Sequence, residues 1–194
     1  VFIALLDTNV LWPSLQRDFL LSLHIQGVYR ALWSEAILDE LQYSEVLKLQ
    51  RCGVTSREAA LRARSLLAQL REHFADSIVH GWEQLEGPFG LPDPDDEHVV
   101  AAAVVGGAEM IVTENLRDFP AHCLPTELEA VAPAEFARRA VDRNPRDAVA
   151  AVDEIVARSG RFGPPLTREL LFGVLETRYR MGEAVGLMRE EVEG

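Results

Sequence analysis

Val1-Phe2-Ile3-Ala4-Leu5-Leu6-Asp7-Thr8-Asn9 opens the chain with an unbroken apolar run that ends on a carboxylate. A strand with one wet face alternates apolar and polar residues, whereas a strand of a parallel sheet covered by helices is apolar on both faces and does not. In open α/β sheets ligands bind beyond the carboxyl ends of the strands. This reading puts Asp7 where chemistry would be done and asks what else converges there.

Working outward, strand and helix signals alternate. A helix from Val10 to His24, capped by Asn9, is followed by a second strand over Val28–Trp33 and a helix Glu35–Gln50 with Ser34 as its N-cap. Thr55 or Ser56 caps a longer helix from Arg57 to about Phe74, and Ser77–Trp82 reads as a third strand. A helix then starts near Asp95 or Asp96 and carries the small residues Ala101, Ala102 and Ala103, which suit close packing on a sheet. Ala108–Thr113 is the fourth strand, Leu128–Val131 a fifth and edge strand, and Pro133 opens another helix. Repeated β-α units with right-handed crossovers predict an α/β, three-layer fold, a mostly parallel sheet with helices on both faces, over residues 1–141. From Asp142 only helical patterns remain. They run from Asn144-Pro145 to Ser159, through a linker at Gly160–Pro165, and on from Thr167, so residues 142–194 read as a small helical extension.

The composition narrows the class. At 194 residues and 48% hydrophobic, the chain suits one well-buried domain with an appendage. No apolar run is long enough to span a membrane, and the apolar start lacks the basic segment of a signal peptide, so a cytoplasmic protein without membrane contact is expected. Cys52 and Cys123 fit no zinc or redox spacing and are expected to be buried free thiols. Nineteen basic residues against 31 acidic ones leave a net charge of −12, which argues against a nucleic-acid partner unless some acids cluster around divalent cations and so invert the local sign. The basic set is almost all arginine, with Lys48 the only lysine.

Four acids occupy equivalent places. Asp7 ends the first strand, Glu40 lies in the helix after the second, Asp96 opens the helix after the third, and Asp118 follows the fourth. Such a hard-oxygen set suits Mg²⁺ or Mn²⁺ better than zinc, and a divalent ion relieves the repulsion among the acids. Acids in a first helical turn also cap and complement the helix dipole, but four acids among Asp93–Glu97 exceed that need. Arg57, Arg64 and Arg71 repeat every seven residues along one helix flank, either a ridge contacting RNA phosphates or a solvated flank whose stems cover apolar surface. No glycine-rich loop follows any strand, which disfavours nucleotide-binding folds, and Asn9 with a lone lysine fits poorly with a phosphotransferase of the haloacid dehalogenase type.

Together, Leu6-Asp7-Thr8-Asn9-Val10, Ser34 through Asp39-Glu40-Leu41, Asp96 with Val99, Ala101 and Ala103, and Val112-Thr113-Glu114-Asn115-Leu116-Arg117-Asp118-Phe119 resemble the PIN-domain ribonucleases. The likeness is greatest to the VapC-type toxins of toxin–antitoxin pairs, in a longer subgroup with a C-terminal helical extension. The resemblance implies a five-stranded parallel sheet, an acidic pocket for Mg²⁺ or Mn²⁺, and endonucleolytic cleavage of RNA, often tRNA or rRNA. It also implies a small antitoxin partner and, commonly, a homodimer. Asp7, Glu40 and Asp96 match the family's acids directly. The fourth acid falls on Asn115 or Asp118, and Asp118 is the choice here. The mechanism expected is metal-assisted hydrolysis, with Asp7 and Asp96 as ligands, Glu40 and Asp118 completing the set, Thr8 and Asn9 orienting Asp7, and Asn115 supporting Asp118. An RNA-processing or DNA-directed nuclease of the same fold, and a catalytically idle binding module, are the alternatives.

Overall fold

The computed structural model describes residues 1–85, 87–161 and 164–194. Five strands, β1 (Ile3–Leu6), β2 (Arg30–Ser34), β3 (Ile78–Val79), β4 (Met110–Val112) and β5 (Glu129–Val131), form one parallel sheet in the order β3-β2-β1-β4-β5. The opening strand is therefore central, and Ala4, Leu5 and Leu6 are fully buried, as an unalternating run requires. Leu6 pairs with Val112, and the Asp7 N–H donates to the Val112 carbonyl at 3.1 Å, so Asp7 and Thr113 leave the sheet side by side.

The helices are α1 (Thr8–Leu11), α2 (Ser14–Ile25), α3 (Glu35–Arg51), α4 (Ser56–His73), α5 (Glu97–Gly106), α6 (Pro133–Arg143), α7 (Pro145–Arg158), α8 (Arg168–Tyr179) and α9 (Gly182–Glu193). The chain divides into two compact units. One comprises Val1–Phe2, Pro13–Arg30 and Val131–Gly194, hence α2 and α6–α9. Its core includes the rings of Phe2, Tyr29 and Phe136, with Tyr29 and Phe136 edge to face at 4.8 Å. The other comprises Ile3–Trp12 and Ala31–Ala130, and so nearly all of the sheet with α1 and α3–α5.

In this second unit α5 lies close on the sheet because its contacting residues are small. Ala101, Ala102 and Ala103 are fully buried, and a β-carbon at Gly106 would stand 2.6 Å from Leu32 Cδ1 and 3.0 Å from Val79 Cγ2. Gly107 then stops the helix in a left-handed conformation, φ 66°. Close packing at this end of α5 helps set where its opposite end, and with it Asp96, sits.

Several expected elements change on folding. The helix expected over Val10–His24 is two helices, α1 and α2, because Pro13 has no N–H to continue the ladder. Asp7, not Asn9, caps α1, its carboxylate accepting from the Thr8 N–H at 2.6 Å. The third strand shrinks to two residues between 3₁₀ turns at Ala75–Ser77 and Trp82–Leu85. The final helical stretch breaks at Arg180, whose φ of 58° lets the Met181 N–H close back on the Leu175 carbonyl at 2.9 Å. Of the linker expected at Gly160–Pro165, residues 162 and 163 lie outside the described residues. Both cysteines are free, but neither is buried as expected: Cys52 is exposed, in the turn after α3, and Cys123 is half-buried. No helix among the described residues is long and apolar enough to cross a membrane.

Candidate active site

Asp7 is 5% exposed, so its charge needs polar partners. Three side-chain or backbone donors reach it. The Thr8 N–H binds Oδ1 at 2.6 Å, while Asn9 Nδ2 at 2.6 Å and Thr113 Oγ1 at 2.7 Å bind Oδ2. Thr113 is itself held, accepting from Asn9 Nδ2 and from the Asn115 N–H, both at 3.0 Å. Asn9 Oδ1 accepts from the Glu114 N–H at 2.9 Å, which ties α1 to the loop after β4. Burial pushes the Asp7 carboxyl up from its ordinary value, and the bonds from Thr113 and Thr8 oppose that. A carboxylate offers about four acceptor positions, so three hydrogen bonds leave room for about one further ligand.

Glu40 comes from α3, whose start is set by the Ser34 hydroxyl accepting from the Ile37 N–H at 3.2 Å. Its Oε2 accepts from the Thr8 hydroxyl at 2.6 Å and its Oε1 meets His98 Nε2 at 2.8 Å. Burial works to raise the Glu40 carboxyl, but the bonds from His98 and Thr8 prevail and hold it below the usual range. His98 is buried, with its ring 5.8 Å from Trp82 and its Nδ1 without a hydrogen-bond partner among the described residues. Burial disfavours the imidazolium, yet Glu40, Asp7 and Asp96 together raise its pKa.

Asp96 differs. It sits at the N-terminus of α5 and makes no capping bond, while Asp93 caps the preceding 3₁₀ turn by accepting from the Asp95 N–H at 3.0 Å. Burial, then the charges of Asp7, Asp93 and Asp118, push the Asp96 carboxyl up to about 6. Its neighbour Glu97 points away from this crowd. Burial opposes its charge, but N–H groups of Leu91 at 2.9 Å and Phe89 at 3.0 Å hold it ionised and anchor the incoming loop. Asp118 accepts a hydrogen bond from the Asn115 side chain.

These side chains share one unit, and Asp7, Thr8, Asn9, Glu40, Asp96 and Asn115 line a cleft of about 400 Å³. Asp118 does not line the cleft; it acts on Asp96 through charge and is held by Asn115, which does. The arginine flank stands apart from this group. Arg71 is bound to Glu35 of α3 at 2.7 Å and lies 3.5 Å from Asp39, and Arg57 and Arg64 are exposed. Two polar residues of the site were not anticipated from the sequence. Thr113 is the polar end of β4 as Asp7 is of β1, a signal visible only once the two strands are neighbours. His98 stands two residues after Asp96 and joins the acids through its bond to Glu40.

The donor chemistry fits a divalent cation. The acids are all oxygen donors, and the raised Asp96 carboxyl records repulsion that a cation would relieve. Among the described residues, no three of His, Cys, Asp and Glu close into a ready-made metal cage.

Comparison with curated proteins and with solved structures gives no match. The PIN domain family model, by contrast, matches residues 4–117, which include Asp7, Glu40, Asp96 and Asn115 and end one residue before Asp118. With more than half of its length under that match and the acids gathered at the carboxyl end of β1, the chain belongs to the PIN-domain family.

Proposed function

We propose that this PIN domain is a metal-dependent endoribonuclease that hydrolyses RNA phosphodiester bonds and acts as the toxin of a toxin–antitoxin pair, on tRNA or rRNA. PIN domains are generally metal-dependent nucleases. The observation that carries the reading here is the convergence of Asp7, Glu40 and Asp96 in one cleft, with the Asp96 carboxyl pushed up to about 6 by burial and by the charges of Asp7, Asp93 and Asp118, which His98 only partly offsets.

Asp7 and Asp96 would hold Mg²⁺ or Mn²⁺, with Glu40 and Asp118 completing the set. When bound, that ion supplies Lewis acidity toward the phosphodiester and the attacking water. The chain's own part is orientation. Thr113 and Asn9 lock the Asp7 carboxylate, Thr8 and His98 hold Glu40 ionised, and Asn115 steadies Asp118. Preorganised carboxylates need no rearrangement as charge develops in the transition state. In the same proposal residues 1–141 are the nuclease domain and 142–194 an appended helical extension. The protein is cytoplasmic, forms a homodimer, and is neutralised by a small antitoxin.

The test is cleavage of single-stranded and structured RNA with and without Mg²⁺ or Mn²⁺, in wild type, Asp7→Asn and Asp96→Asn, with circular dichroism to verify folding. Metal-dependent cleavage lost in both variants is the expected result, and cleavage retained in both overturns the assignment. A DNA substrate run in parallel separates a DNA-directed nuclease. The alternative is a catalytically idle PIN-like binding module, against which the convergence of Asp7, Glu40 and Asp96 argues. Calorimetric titration with Mn²⁺ parts the two, because an idle module binds no metal in the cleft. The toxin role is tested by growth arrest on expression in the native host and rescue by the product of an adjoining small open reading frame.

A further inference from the structure

The cleft does not end at the acids. Beyond Glu40 its wall continues along α3 through Ser44, Leu47, Lys48 and Arg51, with Trp12 facing them. Ser44 follows Glu40 by four residues, Leu47 and Lys48 follow Ser44 by three and four, and Arg51 follows them by four and three, so they share one face of the helix. At about 1.5 Å per residue the face runs roughly 16 Å from carboxylate to guanidinium. Its charge reverses along that distance.

Cations in the last turn of a helix are ordinary, because they complement its dipole. The dipole does not select their face, and here both stand on the cleft wall. Lys48, the only lysine of the chain, is held in place. Its Nζ pairs with Glu45, donates to the Trp12 carbonyl at 3.3 Å, and lies 5.6 Å from the centre of the Trp12 ring. The indole is fixed in turn by Nε1 donating to the Ser44 carbonyl at 3.3 Å. Arg51 is exposed, and no described residue pairs with it. On a chain of net charge −12, a fixed tryptophan with Lys48 beside its ring and Arg51 on the same wall of an acidic cleft calls for an explanation.

We infer that this arm of the cleft is a substrate subsite for an unpaired nucleic-acid strand, with a flanking phosphate on Lys48 and Arg51 and a base against Trp12. The inference rests on the nuclease reading for its substrate class. Proteins that grip single strands combine backbone-tracking cations with aromatic platforms. A cleft of about 400 Å³ is of small-ligand size and admits an extended strand. The cations also answer the objection from net charge, because they offset the repulsion that the acids impose on incoming phosphates.

The test is fluorescence anisotropy of labelled single-stranded RNA, single-stranded DNA and duplex RNA, in EDTA and again with Mn²⁺ at short times, against wild type, Arg51→Glu, Lys48→Gln, Trp12→Leu and Trp12→Phe. Arg62→Glu, at a position engaged with Glu58 on α4, serves as the surface control. The expected result is preference for single strands, with the salt slope reduced by about 0.7 for each cation removed. Trp12→Leu should weaken binding roughly 5- to 100-fold, and Trp12→Phe should restore most of it, which a purely structural role of Trp12 would not do. With Mn²⁺ the cation variants should raise KM more than they lower kcat. Arg51→Glu indistinguishable from Arg62→Glu, or a wild-type chain that binds neither single strand, overturns the inference. Calorimetry with Mn²⁺ on the same proteins keeps the two readings apart. Intact metal binding with indifferent Lys48 and Arg51 variants sinks the subsite alone, and absent metal binding sinks the nuclease reading alone.

Discussion

Asp7 and Asp96 line the same cleft but are built on opposite principles. Asp7 is buried and over-determined, with three donors from the Thr8, Asn9 and Thr113 groups fixing both oxygens and spreading its charge. Asp96 is half-buried, makes no capping bond, and faces three like charges. The difference teaches where a cation matters most. Hydrogen bonds offset part of the burial cost at Asp7, while Asp96 has no capping bond and only the His98 charge set against its like-charged neighbours, so a proton or a metal relieves it most.

The comparison is broken most directly by paired substitution. Asp7→Asn and Asp96→Asn should both lower metal-dependent RNA cleavage by ~10³-fold or more, on the scale of losing a principal transition-state electrostatic group. Their thermal stabilities should move apart. Asn at position 7 offers N–H groups to donors that need an acceptor, so unfolding curves should show a loss, whereas Asn at 96 removes repulsion and should leave the metal-free protein as stable or more so. Equal destabilisation by both would erase the distinction.

Next in size, Thr113→Val removes a donor to Asp7 and takes an acceptor from the Asn115 N–H and from the Asn9 amide, which keeps its bond to Asp7, at a cost of about 1–3 kcal/mol in denaturant unfolding. Gly106→Ala tests the other end of the comparison, where α5 is seated on the sheet. A β-carbon 2.6 Å from Leu32 Cδ1 should cost about 1–3 kcal/mol and displace the helix that carries Asp96, seen as lower stability together with weaker Mn²⁺ affinity.

The smallest effect is in pH. The Asp96 carboxyl is raised to about 6 when folded, against an ordinary value of 3.8. The folded state therefore keeps a proton that the unfolded chain loses between those values. This contribution is full below about pH 4 and lost as pH rises through about 6. Melting temperature of the metal-free protein should carry this downward component between pH 4 and 7. Millimolar Mn²⁺ should raise it more at pH 7.5 than at pH 5, where the ion competes with the proton. Asp96→Asn should flatten both trends.

Much of this site was legible because its acids sit at strand ends and helix starts, which local patterning marks. The unbroken run before Asp7, the Ser34 cap, and the excess of acids at Asp93–Glu97 each announce their element within a few residues. The supports were less legible. Asn9 reads as a helix cap from local pattern and as a support of Asp7 only through the family likeness; in the fold Asp7 takes the capping role and the Asn9 amide donates to Asp7 and Thr113. Thr8 supports Asp7 through its N–H, and its hydroxyl goes instead to Glu40. His98 looks like any residue on a buried helical face until α3 brings Glu40 to its ring.

Sequence alone determined the alternation of strands and helices, the burial on both faces of an apolar strand ending in Asp7, and the family likeness that the match over residues 4–117 supports. It did so because hydrophobic period, caps and turn residues act over short stretches of chain. Tertiary structure decided which hydroxyl serves which carboxylate, that Asp7 is hydrogen-bonded while Asp96 is crowded, and that Lys48 and Arg51 face the cleft. Those outcomes depend on residues up to 106 positions apart, as Asp7 and Thr113 are, and only the pairing of β1 with β4 brings such groups within reach of a hydrogen bond.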